Sequence, residues 1–550
     1  MIVLGISGGI GHDCSACIVK DGKLICAAEE ERFTRIKRSS RKPPINATIF
    51  CLKEAGLDIN DVDCLAIGWN PDKFNIKWPV DYLNEYLSSP LLKRKKPFNI
   101  VPVDHHIAHL IASYANSGLQ QATGIVIDGQ GEEYATTIAY IDNKEVKILE
   151  QKTIAQSLGY FYQGVLRYLK LGRTEVGKLM GLASYGQDKC ELPITIDESG
   201  YYIPIKDLEY KFVEESNDYV ISWWIDWLNK YIGKAADGEL DLDRIKNRAL
   251  CRVPFSKLNC NLAASAQSYL EQAILATIKR GIQLTNCKDV VYGGGVALNC
   301  SANGKIMDSG VVDSLNIFSA CGDSGTSIGA ALYVDGSYEI KRKAYDAYLG
   351  PEYSDEEILA AVKELDIEYT VEEKVEDVVS DLLVQGKVIG WFQGKMEMGP
   401  RALGARSIIA NPLNKNTLDY INKEIKYREF WRPLSPSILA EFADEYVYNS
   451  FESDNMLFAF KAKDIMIKNM GAAVHVDGTT RIQTVSLNQG RYRKLLEKFY
   501  EKTGIPGVLN TSFNIDGEPI VCSPIDAIRT FYSSKLDCLI LGNIIVRKNN

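Results

Sequence analysis

Short apolar runs separated by glycine-rich breaks open the chain. Ile2-Val3-Leu4-Gly5-Ile6 is a run of strand length, Ser7-Gly8-Gly9-Ile10-Gly11 reads as a tight loop, and Cys14 to Val19 as a second strand. Asp21-Gly22 then turns the chain into a third strand from Lys23 to Ala27. The pattern returns about 121 residues later: Gly124 to Ile127 is a strand, Asp128-Gly129-Gln130-Gly131 the loop, Ala135 to Ile141 a strand, and Asp142-Asn143 the turn before Lys144. A shared offset for loop glycines and turn aspartates predicts a duplication, two α/β lobes facing a cleft. Glycine loops let backbone N–H groups approach an anion closely, so both loops are candidates for nucleotide phosphates, although two unrelated hairpins would read the same way locally.

Two further stretches favour the nucleotide. Val291 to Asn299 (VYGGGVALN) reads as strand, backbone-exposing turn and helix start, and Ser319 to Gly325 (SACGDSG) runs into Gly329-Ala330-Ala331, small residues suited to close helix packing. Between them lie Lys178 to Gly186 and a more polar insertion at 190–260, in which Trp223 and Trp227 share a helix face as a packing stripe. The segment Gly350 to Asp355 reads as a boundary. Beyond it the pattern predicts helix 355–365, strand 367–371, helix 375–385 and strand 387–393, so the domains are expected at 1–349 and 350–550.

Charge and composition narrow the function. The 550 residues are 46% hydrophobic and 24% charged, with 63 basic and 71 acidic side chains and a net charge of −8. That balance disfavours a large nucleic-acid footprint. No apolar run is long enough to span a bilayer, and the opening MIVLGISGGIGHD lacks the basic start of a secretion signal. Thirteen scattered cysteines form no disulfide framework, so a reducing, cytoplasmic setting is expected. Cys14-Ser-Ala-Cys17 has no second pair and reads as strand rather than as a zinc or redox motif.

The chemistry concentrates in a few places. Three of the five histidines sit in Val103-Asp104-His105-His106-Ile107-Ala108-His109. In a helix starting near Asp104, His105 and His109 are i and i+4, able to share a metal, with Asp128 and Asp323 as plausible carboxylate partners. A capping cluster of histidines bonded to backbone is the alternative. His12 follows the first glycine loop, where an imidazole can serve as general base. In the second domain Gly399 to Ser407 (GPRALGARS), Asn422 to Pro433 (NKEIKYREFWRP), His475 to Arg481 and Leu509 to Asn514 gather cations and hydroxyls on constrained turns. In an acidic chain these suggest a polyphosphate pocket.

These residues carry a resemblance. The blocks GHDCSACIVKDGKL, EEERFTRIK, DHHIAH, EVGKLMGLASYG, GGVALNCSANG, GDSG, GWFQGKMEMGPRALGARSI, REFWRPLSPSIL and NTSFNIDGEPIV resemble, over nearly the full length, the ATP-dependent O-carbamoyltransferases of antibiotic tailoring and nodulation-factor decoration. The resemblance implies an α/β protein: a duplicated actin/sugar-kinase-like (ASKHA) domain followed by a YrdC-like domain. It implies carbamoyl adenylate made from carbamoyl phosphate and Mg-ATP in the second domain, then transfer to an acceptor hydroxyl in the first. On the matched positions His105, His109, Asp128 and Asp323 would hold iron(II) or another divalent transition metal. Arg401, Lys426, Arg432, Arg481 and Ser512 would bind ATP and carbamoyl phosphate. His12 would be the base, Lys37 would touch the acceptor, and Gly294 and Asn299 would meet the adenylate. The implied partners are small molecules, with neither membrane nor nucleic acid. The 190–260 insertion departs from the common pattern and leaves the acceptor open. An actin-like sugar kinase or ATPase would share the glycine hairpins without the histidine pair or the cationic second domain, and a nucleotide-regulated scaffold would need no second donor.

Overall fold

The computed structural model describes residues 1–9, 12–73, 78–142, 145–173, 175–206, 213–235, 239–240, 252–253, 255–336 and 347–548. Ile10 and Gly11 of the first loop, Asn143 and Lys144 of the repeated turn, and parts of the 190–260 insertion lie outside these. Packing divides the chain into two compact units, Met1–Ile245 with Leu250–Ala347, and Tyr348–Asn550. Among the described residues no helix is long and apolar enough to cross a membrane.

In the first unit the strands are β1 (Ile2–Ile6), β2 (Ser15–Lys20), β3 (Lys23–Glu29), β4 (Cys64–Ile67) and β5 (Asn99–Pro102), in sheet order β3-β2-β1-β4-β5. β1 runs antiparallel to β2, with Ile2 opposite Lys20, and parallel to β4, with Val3 opposite Cys64. A second sheet of β6 (Gln121–Ile127), β7 (Tyr134–Asp142), β8 (Glu145–Thr153), β9 (Asp289–Gly293) and β10 (Ser314–Asn316) has the order β10-β9-β6-β7-β8. Here β6 is antiparallel to β7 and parallel to β9. The two sheets therefore share one topology, and the expected duplication extends from the hairpins to whole five-stranded lobes.

The helices explain how the lobes are joined. α1 (Ile45–Glu54) covers β2 and β3, and α2 (His105–Ala115) follows β5. Almost every residue of α2 is buried: apart from three histidines, each with a ring nitrogen that finds a polar partner inside, HHIAHLIASYA is mainly apolar or small. It packs on β6 and β9 of the second sheet, where Leu110 and Tyr114 join Val126, Ile141 and Val291. α3 (Leu158–Tyr168), α4 (Val213–Tyr231), α5 (Lys257–Thr285) and α6 (Cys300–Asp308) surround the second lobe. α7 (Thr326–Asp335) follows β10 yet packs on β1, β2 and β4 of the first sheet.

α2 and α7 touch through the small residues singled out above. A Cβ on Gly329 would lie 1.8 Å from the Ala108 carbonyl oxygen, a backbone atom that cannot move aside. We expect Gly329→Ala to force the two helices apart and to destabilise the first unit by about 1–3 kcal/mol or more. A lowered urea midpoint for the first unit checks this, and an unchanged midpoint would contradict the contact. The tryptophan stripe is corrected. Trp224, not Trp223 or Trp227, is the fully buried indole, in line with Val220 and Leu228 on α4 and stacked on Phe161 at 4.6 Å. Its shape is matched by Gly164, whose added Cβ would meet the Trp224 Cβ at 2.7 Å.

In the second unit α8 (Asp355–Glu364), β11 (Tyr369–Val371), α9 (Val375–Val384) and β12 (Ile389–Phe392) follow the predicted helix–strand alternation. β13 (Arg406–Ala410), β14 (Ser435–Leu439), β15 (Gln483–Val485), β16 (Gly507–Ser512), β17 (Cys538–Leu541) and β18 (Ile544–Arg547) complete a mixed sheet of order β11-β18-β17-β12-β13-β16-β14-β15. α10 (Gly490–Thr503) packs on α9, and α11 (Pro524–Tyr532) starts at a Ser523–Asp526 capping box and packs on β17.

Candidate metal centre and cationic pocket

His105, His109, Asp128 and Asp323 converge in the first unit, all buried, with ligand atoms within 4.8 Å of one another. The i, i+4 spacing on α2 brings the two imidazole Nε2 atoms to 3.1 Å. Asp128 Oδ2 stands 3.1 Å from His109 Nε2 and 3.6 Å from His105 Nε2, and Asp323 Oδ1 stands 3.7 and 3.8 Å from the same two nitrogens. Ligands about 2.0–2.2 Å from a common ion stand roughly 3.0–3.6 Å apart, so the two imidazoles and Asp128 have the spacing of one coordination shell, with Asp323 slightly farther out.

Their surroundings support the same reading. The Nδ1–H of His105 donates to the Gly68 carbonyl at 3.0 Å, which leaves the Nε2 lone pair facing inward. Asp128 Oδ1 accepts the N–H groups of Gly129 (2.7 Å) and Gly295 (3.2 Å), whereas its Oδ2 is buried without a hydrogen bond. Burial alone would lower the His105 pKa, yet the Asp128 and Asp323 carboxylates raise it well above the ordinary value. This set of two imidazoles and two carboxylates fits a divalent transition-metal ion. His106 is not part of it. Its Nδ1 meets the Thr137 hydroxyl at 2.7 Å, and burial holds its pKa down at about 3.

Asp323 links the cluster to the base expected from the sequence. His12 Nδ1 lies 3.1 Å from Asp13 Oδ2 and 3.4 Å from Asp323 Oδ2. Carboxylates only accept, so Nδ1–H faces Asp13 and Asp323, and Nε2 is the ring nitrogen that neither carboxylate engages. Burial depresses the His12 pKa, but Asp323 and then Asp13 overcome it and raise it to about 9. Asp13 is held at positive φ, and its N–H donates to the Arg38 carbonyl, which straps the His12 turn to the loop carrying exposed Lys37.

Several supporting groups escaped the sequence reading. Glu132 accepts the backbone N–H groups of Asn70 and His105, both at 2.9 Å, and so fixes the start of α2. Ser15 Oγ donates to the Ser324 carbonyl at 2.6 Å and meets the hydroxyls of Ser327 (2.7 Å) and Ser7 (2.8 Å), which anchors the Asp323 loop on β2. The acidic GQGEE stretch and the serines flanking each loop were the available signals. Gly294 sits at φ +92°, and a Cβ there would lie 2.3 Å from the Ile127 carbonyl oxygen, so glycine is required for this close approach to β6. The Asn299 side chain caps α6 through the Ala302 N–H and exchanges two hydrogen bonds with Gln267. Cys14 and Cys17 are buried thiols, the former raised to about 12 by burial.

In the second unit the cations gather behind an unusual turn. The helix Asn416–Tyr420 widens into a π-helical turn, Ile421–Ile425, and Tyr427 sits at positive φ between Lys426 and Arg428. Lys426 Nζ donates to the Ser512 carbonyl (2.6 Å) and the Asn514 Oδ1 (2.7 Å), which joins Lys426 to Ser512. Arg481 Nε donates to Ser435 Oγ at 2.9 Å, and Arg432 lies 3.7 Å from Glu429. Arg428, not singled out from the sequence, belongs here: burial, Arg432 and Arg481 depress its pKa well below the ordinary value against the pull of Glu429 and Asp516. Arg401 adjoins Ala402, whose carbonyl accepts from Asn510 on β16. Arg406 is different. Counted among the pocket cations from the sequence, it is fully buried, donates to the Gln393, Gly394, Ala405 and Pro351 carbonyls, and lies 3.6 Å over the Phe392 ring. It ties the end of β12 and the Pro351 segment to β13 inside the sheet.

Duplicated five-stranded lobes with a buried imidazole–carboxylate cluster, followed by a second unit built on a mixed sheet, define a two-unit α/β protein. The chain belongs to the carbamoyltransferase family: the carbamoyltransferase N-terminus model matches residues 2–91 and 82–332, and the carbamoyltransferase C-terminus model residues 380–548. It is 32% identical to nodulation protein NolNO of Sinorhizobium fredii, over 100% of this chain and 83% of that protein. It is 34% identical to nodulation protein NolO of Bradyrhizobium diazoefficiens, over 81% of this chain and 79% of that protein. Among solved structures it is similar to full-length HypF in its phosphate- and nucleotide-bound form (13% identity, TM-score 0.33, 61% of this chain and 55% of that chain). It is also similar to component A of the Acidaminococcus fermentans (R)-2-hydroxyglutaryl-CoA dehydratase (16% identity, TM-score 0.32, 62% and 99%).

Proposed function

We propose that the protein is an ATP-dependent O-carbamoyltransferase acting in two steps. The second unit consumes carbamoyl phosphate and ATP, forms carbamoyl adenylate and releases pyrophosphate. The first unit passes the carbamoyl group to a hydroxyl of a small-molecule or sugar acceptor. What supports this reading is the 3.4 Å contact between His12 and Asp323, one of the four buried groups whose donors suit a divalent cation. In the transfer, the acceptor oxygen bonds to the carbamoyl carbon, the bond to the adenylate oxygen breaks, AMP leaves, and His12 Nε2 takes the hydroxyl proton. A divalent transition-metal ion in the cluster would neutralise the leaving phosphate and withdraw the field of Asp323 from His12.

Arg432 and Arg481 act against the charge of Arg428, and an anionic substrate bound among the three would relieve that repulsion. Arg432→Ala should slow pyrophosphate release by about ten- to a hundred-fold, as expected for one lost charge-assisted contact. Chemically supplied carbamoyl adenylate should restore transfer in that variant; failure to do so would contradict the division of labour. The whole reading is tested by mass spectrometry of acceptors incubated with ATP and carbamoyl phosphate, where one added carbamoyl group is the expected product. ATP turnover to ADP without carbamoyl phosphate would favour a kinase instead.

A further inference from the structure

A cavity of about 530 Å³ in the first unit is lined by Arg167, Lys170, Gly172, Arg173 and Asp218, three cations against one carboxylate in a chain of net charge −8. It lies at the far end of α3 from the cluster. The N-cap of α3, Ser157, donates to the Asp128 and Gly129 carbonyls beside the cluster, and Arg167 sits ten residues further along the same helix. At 1.5 Å per residue the two ends are roughly 15 Å apart. Tyr160, between them, is raised by burial first and then by Asp128 and Asp323, with Arg167 pulling the other way, so one side chain feels both places.

The backbone is bent to gather these charges. Lys170 adopts φ +57°, which a side chain disfavours, and Gly172 φ +123°. Arg167 is only loosely paired: its Nε is buried without a hydrogen bond, and its ion pair with the 77% exposed Asp218 spans 3.7 Å, beyond hydrogen-bond distance. The neighbouring Glu175 lies over Gly172 and pairs with Lys178. Helix-end cations complement a helix dipole, which covers Arg167 and Lys170 but not Arg173, five residues past the helix.

We propose that this cavity binds an anionic group of the acceptor, a phosphate, diphosphate or carboxylate standing roughly 15 Å from the hydroxyl that is carbamoylated. The proposal rests on the carbamoyl-transfer reading and adds the acceptor's charge and reach. An acceptor of that kind is extended: a nucleotide-linked sugar or an acidic oligosaccharide, rather than a compact neutral sugar.

Calorimetric titration of the full chain with two anionic probes, UDP-N-acetylglucosamine and tetragalacturonate, against the neutral N-acetylglucosamine and chitotetraose tests it. At least one anionic probe should bind more tightly than its neutral counterpart and lose about tenfold or more in Arg173→Gln and Arg167→Gln. Arg173→Lys should retain most of the affinity, and the exposed position of Arg173 makes misfolding a poor explanation for a loss. Pyrophosphate release from ATP and carbamoyl phosphate should be unchanged in all three variants. Equal binding of anionic and neutral probes, or binding indifferent to both glutamine variants, would overturn the proposal. So would anion binding that weakens in the variants while neutral acceptors are carbamoylated as well as anionic ones, since the cavity would then serve a free anion. Wild-type protein that binds the anion but never releases pyrophosphate would remove the carbamoyl-transfer reading and leave the anion site standing.

Discussion

Replacing both His105 and His109 by alanine should empty the first unit of its metal ion. Protein purified without chelators is expected to carry close to one transition-metal ion per chain, and the double variant close to none. A strong four-ligand site is worth about 10–16 kcal/mol, so each imidazole contributes on the order of 2.5–4 kcal/mol, a hundred- to a thousand-fold in affinity. Two are lost here, and the two remaining carboxylates cannot retain the ion at micromolar concentrations. His106→Ala is the control, because its ring turns to Thr137 and touches none of the ligands' inward atoms. It should keep the ion. Thermal melting gives a readout independent of activity, since an ion present at a hundred times its Kd stabilises the fold by about 2.7 kcal/mol, and the double variant should lose that increment. Unchanged metal content in the double variant would sink the assignment of all four residues.

His12→Ala should separate the two half-reactions. An alcohol near neutral pH is a poor nucleophile, and a positioned base is typically worth about a hundred- to ten-thousand-fold. Transfer to the acceptor is therefore expected to fall by that factor. Pyrophosphate release, assigned to Lys426, Arg432 and their neighbours in the other unit, should continue at its ordinary rate. His12→Asn keeps polarity and a similar volume but cannot take the proton, so it should behave like the alanine variant. Transfer at the wild-type rate in the asparagine variant would reduce His12 to an orienting role. Collapse of both half-reactions in a folded variant would instead contradict the assignment of separate sites.

Local patterns were legible and long-range ones were not. The strand–glycine loop–strand repeat gave β1, β2, β6 and β7 because alternation and glycine breaks are written within about twenty residues. His105 and His109 could be paired for the same reason: helical spacing alone puts them on one face. Asp323 was found only as a candidate, since its meeting with His12 depends on α7 crossing to the first sheet, which no local period encodes. Arg406 shows the converse failure. Its position among glycines and a second arginine is what a phosphate loop looks like, yet both its terminal nitrogens donate to buried carbonyls. Arg428 was passed over although it stands in the same stretch as Lys426 and Arg432, because the positive φ at Tyr427 that turns the chain there has no sequence signature when glycine is absent. Trp224 replaced Trp223 and Trp227 as the buried indole because the core face of α4 runs through Val220 and Leu228, a register that tryptophans at 223, 224 and 227 leave ambiguous.

The crossing of α2 and α7 has a further consequence. Each lobe is capped by the terminal helix of the other, as in an exchange of arms between two subunits, but within one chain. The ligands divide along the same line, His105 and His109 from residues before the second sheet and Asp128 and Asp323 from residues after it begins. A fragment ending near Asn116 would leave β1, β2 and β4 without α7 and would expose the apolar surface of α2 to water. Neither half is therefore a self-sufficient folding unit, and the centre cannot assemble until both arms have crossed.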